Sequence, residues 1–546
     1  MMMPKIEFVG RGFSFFQFVH DYSMEEASGR TVTRTLHRLC TLMRKMDAQS
    51  VVIETLDRTD PEIKEECSAI FTCLGQEVPV KAFRFTFLAE KITLLDELAK
   101  GDSHLFLASA ILINFENAKD KVWRTYIYQA IVAKPGFLVS DNKGQKAKIP
   151  LLNNYIHVYR TFPCEIRIED QPPITFKIVG TFFCQQNTTT SVCAHAALCM
   201  TVNNMGREDI GMITPERINK IIKVDHQKIR FGPDKPGLDE KELKTVLEAL
   251  GLTYTWMDFF EDPNIEYDEF IYRYVEGGCP VLLVFSAETS LHVVPVIGHT
   301  MNSDIWRPEA ETVYTTNINT RLNYKSAASW TDHFIIHDDN FGMYYCLPVD
   351  ALKRVTLPKH DPTFRAKLAV VISPPELITS AWEAEWASVI VTKHFLEEAQ
   401  KHGALDEWSK RIIQTDPVYR PRPTVVRTLL ARKNDYLKSL DESDFESNVF
   451  SKADKRHIAE NLPDLFWLSE LTLPDLYTGN RSKIIDFFYG CNHPPLKRDF
   501  NEIFHRWIQI RFPCALLRKD LSVKPLSVSS HYPLFKLENT GDTFDW

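Results

Sequence analysis

The chain has 546 residues, 44% hydrophobic and 25% charged, with 64 basic against 72 acidic side chains and a formal net charge of -8. That length allows about three to four domains, and the composition is that of a globular chain, not a disordered one. The acidic balance argues against a dedicated nucleic-acid binder, which needs a basic stripe for phosphates. The longest mainly apolar run, Leu105 to Phe115, is well short of the roughly 20 residues that span a bilayer. No membrane association is expected.

The N-terminus, Met1-Met2-Met3-Pro4-Lys5-Ile6-Glu7-Phe8, places an acid too early and has too short an apolar stretch for a secretory signal. The 11 cysteines are odd in number, scattered and without a CxxC pair. This predicts reduced thiols in a cytoplasmic protein and gives no support for a zinc ribbon. Neither a cofactor nor a metal is expected.

Three regions emerge, at 1–165, 166–375 and 376–546. The first mixes a helical stretch from Ser23 to Ala48 with strands at Ser50–Leu56, His104–Phe115, Trp123–Val132 and Tyr155–Ile168, rich in β-branched and aromatic residues. It reads as an α/β or α+β domain without a chemical motif. The second opens in extended sequence. Thr214-Pro215-Glu216 is a helix start, Leu238 to Leu250 has helical spacing with Gly251 as its stop, and Tyr267 to Glu276 is a third helix. Strands follow at Pro280–Phe285, His292–Ile297 and His333–Ile336, with Met301 to Thr331 as an inserted loop. The third region reads as mostly helical, through Trp382–Lys401 and Thr424–Leu440, broken by prolines at 417–423 and 494–495.

The segment from Gln185 to Met200 is the most informative. A polar run ends at Cys193, and small helix formers follow at once, placing this cysteine in the first turn of a helix. The positive helix terminus favours a thiolate, and its free N–H groups suit an oxyanion. Gln185 or Gln186 upstream would supply the second donor. The competing reading is one more buried thiol, as expected for Cys199 farther along the same helix. His292 opens an otherwise apolar strand, where an imidazole needs a hydrogen bond or a use. Asp338, or its neighbour Asp339, ends a strand at an acidic turn closed by Gly342, where an acid can orient such a histidine. His337 beside these acids is weak evidence for a metal site.

Together these blocks resemble the papain-like cysteine peptidases, in particular their bacterial C39-like branch. The resemblance runs through Gln186 to Cys193-Ala194 and on to Leu198 and Met200, then the helix Leu238–Leu250 with Gly251. It continues in Gly278-Cys279-Pro280-Val281, His292 with Gly298, and Asp338 with Gly342. It covers about 200 residues, little more than a third of the chain. It departs from the family pattern in spacing Gln186 seven residues before Cys193 where six is usual, in Ala194 for glycine, and in Asp338-Asp339 for Asp-Pro. It implies an α+β papain-like domain at 166–375, with a helical half carrying the nucleophile and an antiparallel half carrying His292 and Asp338. The implied activity is thiol hydrolysis of peptide or isopeptide-type amides through Cys193, His292, Asp338 and Gln186. The same site would serve an acyltransferase or deamidase, and a silent papain-like fold would serve as a binding module. A protein or peptide substrate is implied; the size of the flanking regions and their lack of motifs suit recognition or regulatory modules.

Overall fold

The computed structural model describes residues 3–10, 12–24, 33–95, 98, 105–118, 120–140, 146–150, 154–168, 171–187, 189–207, 209–223, 237–262, 264–287, 290–305, 312–318, 320–353, 364–402, 409–410, 412, 415–416, 420–421, 423–441, 450–496, 500–527 and 532–535. Parts of the expected Ser23–Ala48 helix (25–32), of the Met301–Thr331 segment (306–311 and 319) and of the proline-rich break (417–419 and 422), together with His104 and Thr188, lie outside them.

The fold is mixed α+β, built on three large sheets. The first has seven antiparallel strands in the spatial order Lys5–Phe8, Ser50–Leu56, Val80–Leu88, Phe106–Glu116, Trp123–Ala133, Ile174–Phe183 and Arg160–Ile166. The second runs Thr253–Asp258, Phe364–Ser373, Val281–Ala287, Ser290–Thr300, His333–Asp338 and Gly342–Pro348, with Asn154–Ile156 also paired to Ser290–Thr300. The third begins with the hairpin Thr312–Ile318 and Thr320–Ser326. It continues through Thr424–Arg432, Leu465–Thr472, Ile485–Gly490, Trp507–Phe512, Ala515–Arg518 and Val523–Pro525. Its one parallel pair joins Thr320–Ser326 to Thr424–Arg432.

The helix Cys193–Met205 packs between the first and second sheets, against Ile174–Phe183 and Ser290–Thr300. Ala196, Ala197, Leu198, Cys199, Met200 and Val202 share one apolar core with strands of both sheets. Small residues early in this helix let it approach the sheets closely, and burial all round removes the need for a polar face.

Several expected elements stand as read. Thr214 Oγ1 accepts from Arg217 N at 3.2 Å and caps Pro215–Ile221. Asp239 and Glu242 form a reciprocal cap on Glu240–Ala249, and Gly251 takes the left-handed φ of +65° after it. Tyr267–Glu276 is helical.

Others need correction. Tyr155–Ile168 is not one strand: Asn154–Ile156 belongs to the second sheet and Arg160–Ile166 to the first. The sheets do not part at residue 165, because the first continues to Phe183, nor at 375, because Thr312–Ile318 and Thr320–Ser326 form one edge of the third. The Met301–Thr331 stretch is therefore largely a sheet-joining hairpin, not a loop. The C-terminal region is not mostly helical. Ala381–Lys401 is a helix, but Thr424–Leu440 divides into the strand Thr424–Arg432 and the helix Lys433–Ser439. Eight successive residues of that strand are buried, so it lacks the alternation that marks a half-exposed strand. Among the described residues, no helix is long and apolar enough to cross a membrane.

Candidate active site

Cys193 is the first residue of its helix. Val192 precedes it in extended conformation, φ -128° and ψ 175°, and caps nothing with its own side chain. The helix terminus is left open at the sulfur, where first-turn N–H groups can serve an incoming oxygen.

The preceding loop is held by Asn187. Its Oδ1 accepts from the backbone N–H of Thr189 and Thr190, each at 2.8 Å, and its Nδ2 donates to Glu66 Oε1 and Thr190 Oγ1, each at 2.7 Å. Glu66 also accepts from Tyr126 Oη at 2.7 Å, and burial pushes its carboxyl up to about 7. His195 braces the same turn. Its Nδ1 accepts from Val192 N at 3.4 Å, so its Nε2 carries the proton and donates to Asn219 Oδ1 at 2.9 Å. Asn219 Nδ2 closes the chain of bonds on Thr190 O at 2.9 Å. Asn187, Glu66, His195 and Asn219 were given no role from sequence. Only their assembly in space shows one, and nothing in their spacing marks it.

The antiparallel strands Ser290–Thr300 and His333–Asp338 bring His292 to the acids. His292 Nε2 lies 3.2 Å from Asp338 Oδ2 and 3.6 Å from Asp339 Oδ1. The Cys193 thiol lies close enough to the same imidazole to raise its affinity for a proton. Burial opposes charge on His292, but the hydrogen bond with Asp338, the nearby Cys193 thiol and the negative charge of both acids outweigh it and hold the imidazole up at about 11. Residues 193, 292 and 338, far apart in the chain, are thus brought together.

The acids differ. Asp338 turns Oδ1 to the N–H groups of Asn340 and Phe341, at 2.8 and 3.1 Å, which leaves Oδ2 for the histidine. Asp339 is only 1% exposed, and its Oδ2 has no hydrogen-bond partner among the described residues. Burial pushes its carboxyl up to about 7. His337 points elsewhere: its Nδ1 accepts from Tyr344 N at 3.1 Å, its Nε2 donates to Thr181 Oγ1 at 2.9 Å, and burial lowers it to about 3. It takes no part in the acidic cluster. His292, Asp338 and Asp339 themselves converge closely enough to hold a cation.

The two glutamines also separate. Gln185 is buried, and its Oε1 accepts from Thr35 Oγ1 at 2.8 Å and from Ile127 N at 3.1 Å. Gln186 is half-buried, and its carboxamide enters no hydrogen bond among the described residues. Cys199 is fully buried, on the helix whose Ala196 O accepts from the Cys184 thiol at 3.6 Å. No protein-family model matches this chain, and neither does any curated protein or solved structure.

Proposed function

We propose that this protein is a cytoplasmic cysteine hydrolase of the papain-like type, cleaving peptide or isopeptide-type amide bonds in a protein or peptide substrate. One observation carries the reading: His292 lies 3.2 Å from Asp338 and within reach of the Cys193 thiol at the start of its helix. A helix-terminal thiol, an imidazole and an acid in that order constitute a nucleophile, a base and its orienter.

The chemistry follows from the geometry. His292 takes the thiol proton, and the sulfur attacks the carbonyl carbon. The Cys193 N–H and the Gln186 carboxamide stabilise the oxyanion. His292 then protonates the leaving amine as the C–N bond breaks and a thioester forms. Water, deprotonated by His292, attacks the thioester and releases the acid and the free thiol. Asp338 fixes the imidazole throughout and stabilises its cation. A cytosol supplies the reducing conditions that keep such a thiol available.

The test is alkylation by an iodoacetamide-type probe, mapped by mass spectrometry across pH. Cys193 is expected to label fastest, well below pH 8, and to lose that advantage in His292→Ala. Labelling of Cys193 no faster than that of Cys199 would defeat the reading and point to a silent binding fold. In a peptidase assay, Cys193→Ala is expected to abolish turnover with circular dichroism unchanged. Gln186→Ala should lower turnover by about a hundredfold to a thousandfold, as loss of an oxyanion donor does.

A further inference from the structure

A second cluster of chemistry-bearing side chains lies apart from the proposed catalytic centre, where the second sheet meets the third. It joins His157, just beyond the strand Asn154–Ile156, Glu276 at the last turn of Tyr267–Glu276, and His299 on Ser290–Thr300. His299 is seven residues along that strand from His292, about 23 Å at strand rise. The three side chains are 7%, 0% and 1% exposed.

Their donor atoms face one another. His157 Nε2 is 3.1 Å from Glu276 Oε2, His299 Nε2 is 3.2 Å from Glu276 Oε1, and the two Nε2 atoms are 3.3 Å apart. Ligands about 2.0–2.1 Å from a tetrahedral zinc ion stand about 3.3 Å from each other, so this triangle has the edges of such a site.

The tautomer of His299 suits the same use. Its Nδ1 lies 3.0 Å from the carbonyl oxygen of Thr300, which has no proton to give, so Nδ1 donates. In the neutral ring, Nε2 is then a bare lone pair, and it points at a carboxylate oxygen and a second imidazole. That lone pair can accept from a protonated His157 Nε2, or both nitrogens can turn lone pairs on a cation between them. A histidine that donates one ring N–H to a backbone carbonyl and turns the other nitrogen inward is oriented as metal-binding histidines are. Glu276 is itself held in place: Arg427 Nε and Nη2 reach its two oxygens at 3.0 Å each, and Tyr272 donates to Oε1. Arg427 also pairs with Glu470, which Lys483 meets at 2.6 Å.

We propose that His157, Glu276 and His299 form a structural binding site for a divalent transition-metal ion of the zinc type, pinning the second sheet to the third. Complete burial suits a structural ion, not a catalytic one that must meet substrate.

The full chain, stripped with chelator, should be given zinc chloride, desalted and assayed for metal by mass spectrometry. One zinc per chain is expected in the wild type and in His292→Ala, with loss in His157→Gln and His299→Gln. His292→Ala is the necessary control because His292, Asp338 and Asp339 are the other place a cation fits. Should the Gln variants misfold, the X-ray absorption spectrum of the zinc-loaded wild type decides. Two imidazoles with nitrogen and oxygen ligands support the site, whereas sulfur ligands or a single imidazole overturn it. Failure of the wild type to retain zinc, or loss of zinc in His292→Ala alone, overturns it equally.

Discussion

Asp338 and Asp339 are adjacent, yet the turn gives them different work. Asp338 spends one oxygen on two backbone N–H groups and faces His292 with the other. Asp339 is farther from the imidazole and keeps a buried oxygen without a partner among the described residues. Burial raises the Asp339 carboxyl from its usual 3.8 to about 7, so the folded protein holds this proton across a range where the unfolded chain has released it. The stability so contributed is present below about pH 3.8 and is lost as pH climbs through about 7; at about 1.4 kcal/mol per tenfold change in proton affinity, it reaches about 4 kcal/mol at most. Asp339→Asn is therefore expected to flatten the fall in urea midpoint between pH 4.5 and 7.5 that the wild type shows. An equal fall in both proteins would assign that slope to another group. His292, Cys193 and Asp338 were legible in the sequence because each stands at the end of an element, where a reactive side chain breaks a local pattern. The choice between the two acids was not legible, because it depends on which oxygen the Asn340 and Phe341 amides take.

At the scale of elements, the acidic turn is shaped from outside its own sheet. The helix Thr33–Lys45 lies against Gly342–Pro348, and Arg38 donates from Nε to Met343 O at 3.1 Å and from Nη2 to Tyr344 O. Gly342, four residues after Asp338, has φ +105°, and a Cβ there would come within 2.8 Å of Arg38 Cβ and Cγ. The sequence marked Gly342 as a turn residue; the structure adds that a helix from the first 50 residues occupies the space a side chain would need. Gly342→Ala should thus destabilise by more than the roughly 1 kcal/mol of an ordinary Gly-to-Ala change at positive φ, and should slow Cys193 alkylation by displacing Asp338. Thermal unfolding and labelling rate, measured together, check it: a stable variant with unchanged labelling would separate the turn from the helix. The same scale shows where reading by pattern fails. Glu240–Ala249 was legible because its caps and apolar spacing are local. Thr424–Arg432 reads as helix in the sequence because a strand buried on both faces carries no alternation, and Tyr155–Ile168 reads as one strand because strand formers run on while the chain changes sheets.

Over the whole molecule, the proposed catalytic centre draws on parts that the sequence placed in separate domains. Arg160–Ile166 and Ile174–Phe183 complete the first sheet, and the helix Cys193–Met205 follows directly from them. Glu66 holds Asn187, Thr35 holds Gln185, and Arg38 holds the strand after Asp338. Residues of the first sheet, the helix Cys193–Met205 and the second sheet belong to one apolar core, so cutting the chain at 165 would expose Phe176, Ile178, Phe182 and Phe183 to water. At about 1.5–3 kcal/mol for each large apolar side chain returned to solvent, those four alone match the net stability of a typical domain. Residues 166–375 expressed alone are therefore expected to lack cooperative unfolding and to label all their cysteines at similar rates. In the full chain, Cys193 should label first and Cys199 should stay protected. Glu66→Gln in the full chain is the milder form of the same experiment. It keeps the shape but weakens the acceptor for Asn187 Nδ2 and Tyr126 Oη, and should slow Cys193 labelling without unfolding the protein. A 166–375 fragment that unfolds cooperatively and retains selective labelling at Cys193 would show instead that the first sheet is an attachment and not part of the catalytic scaffold.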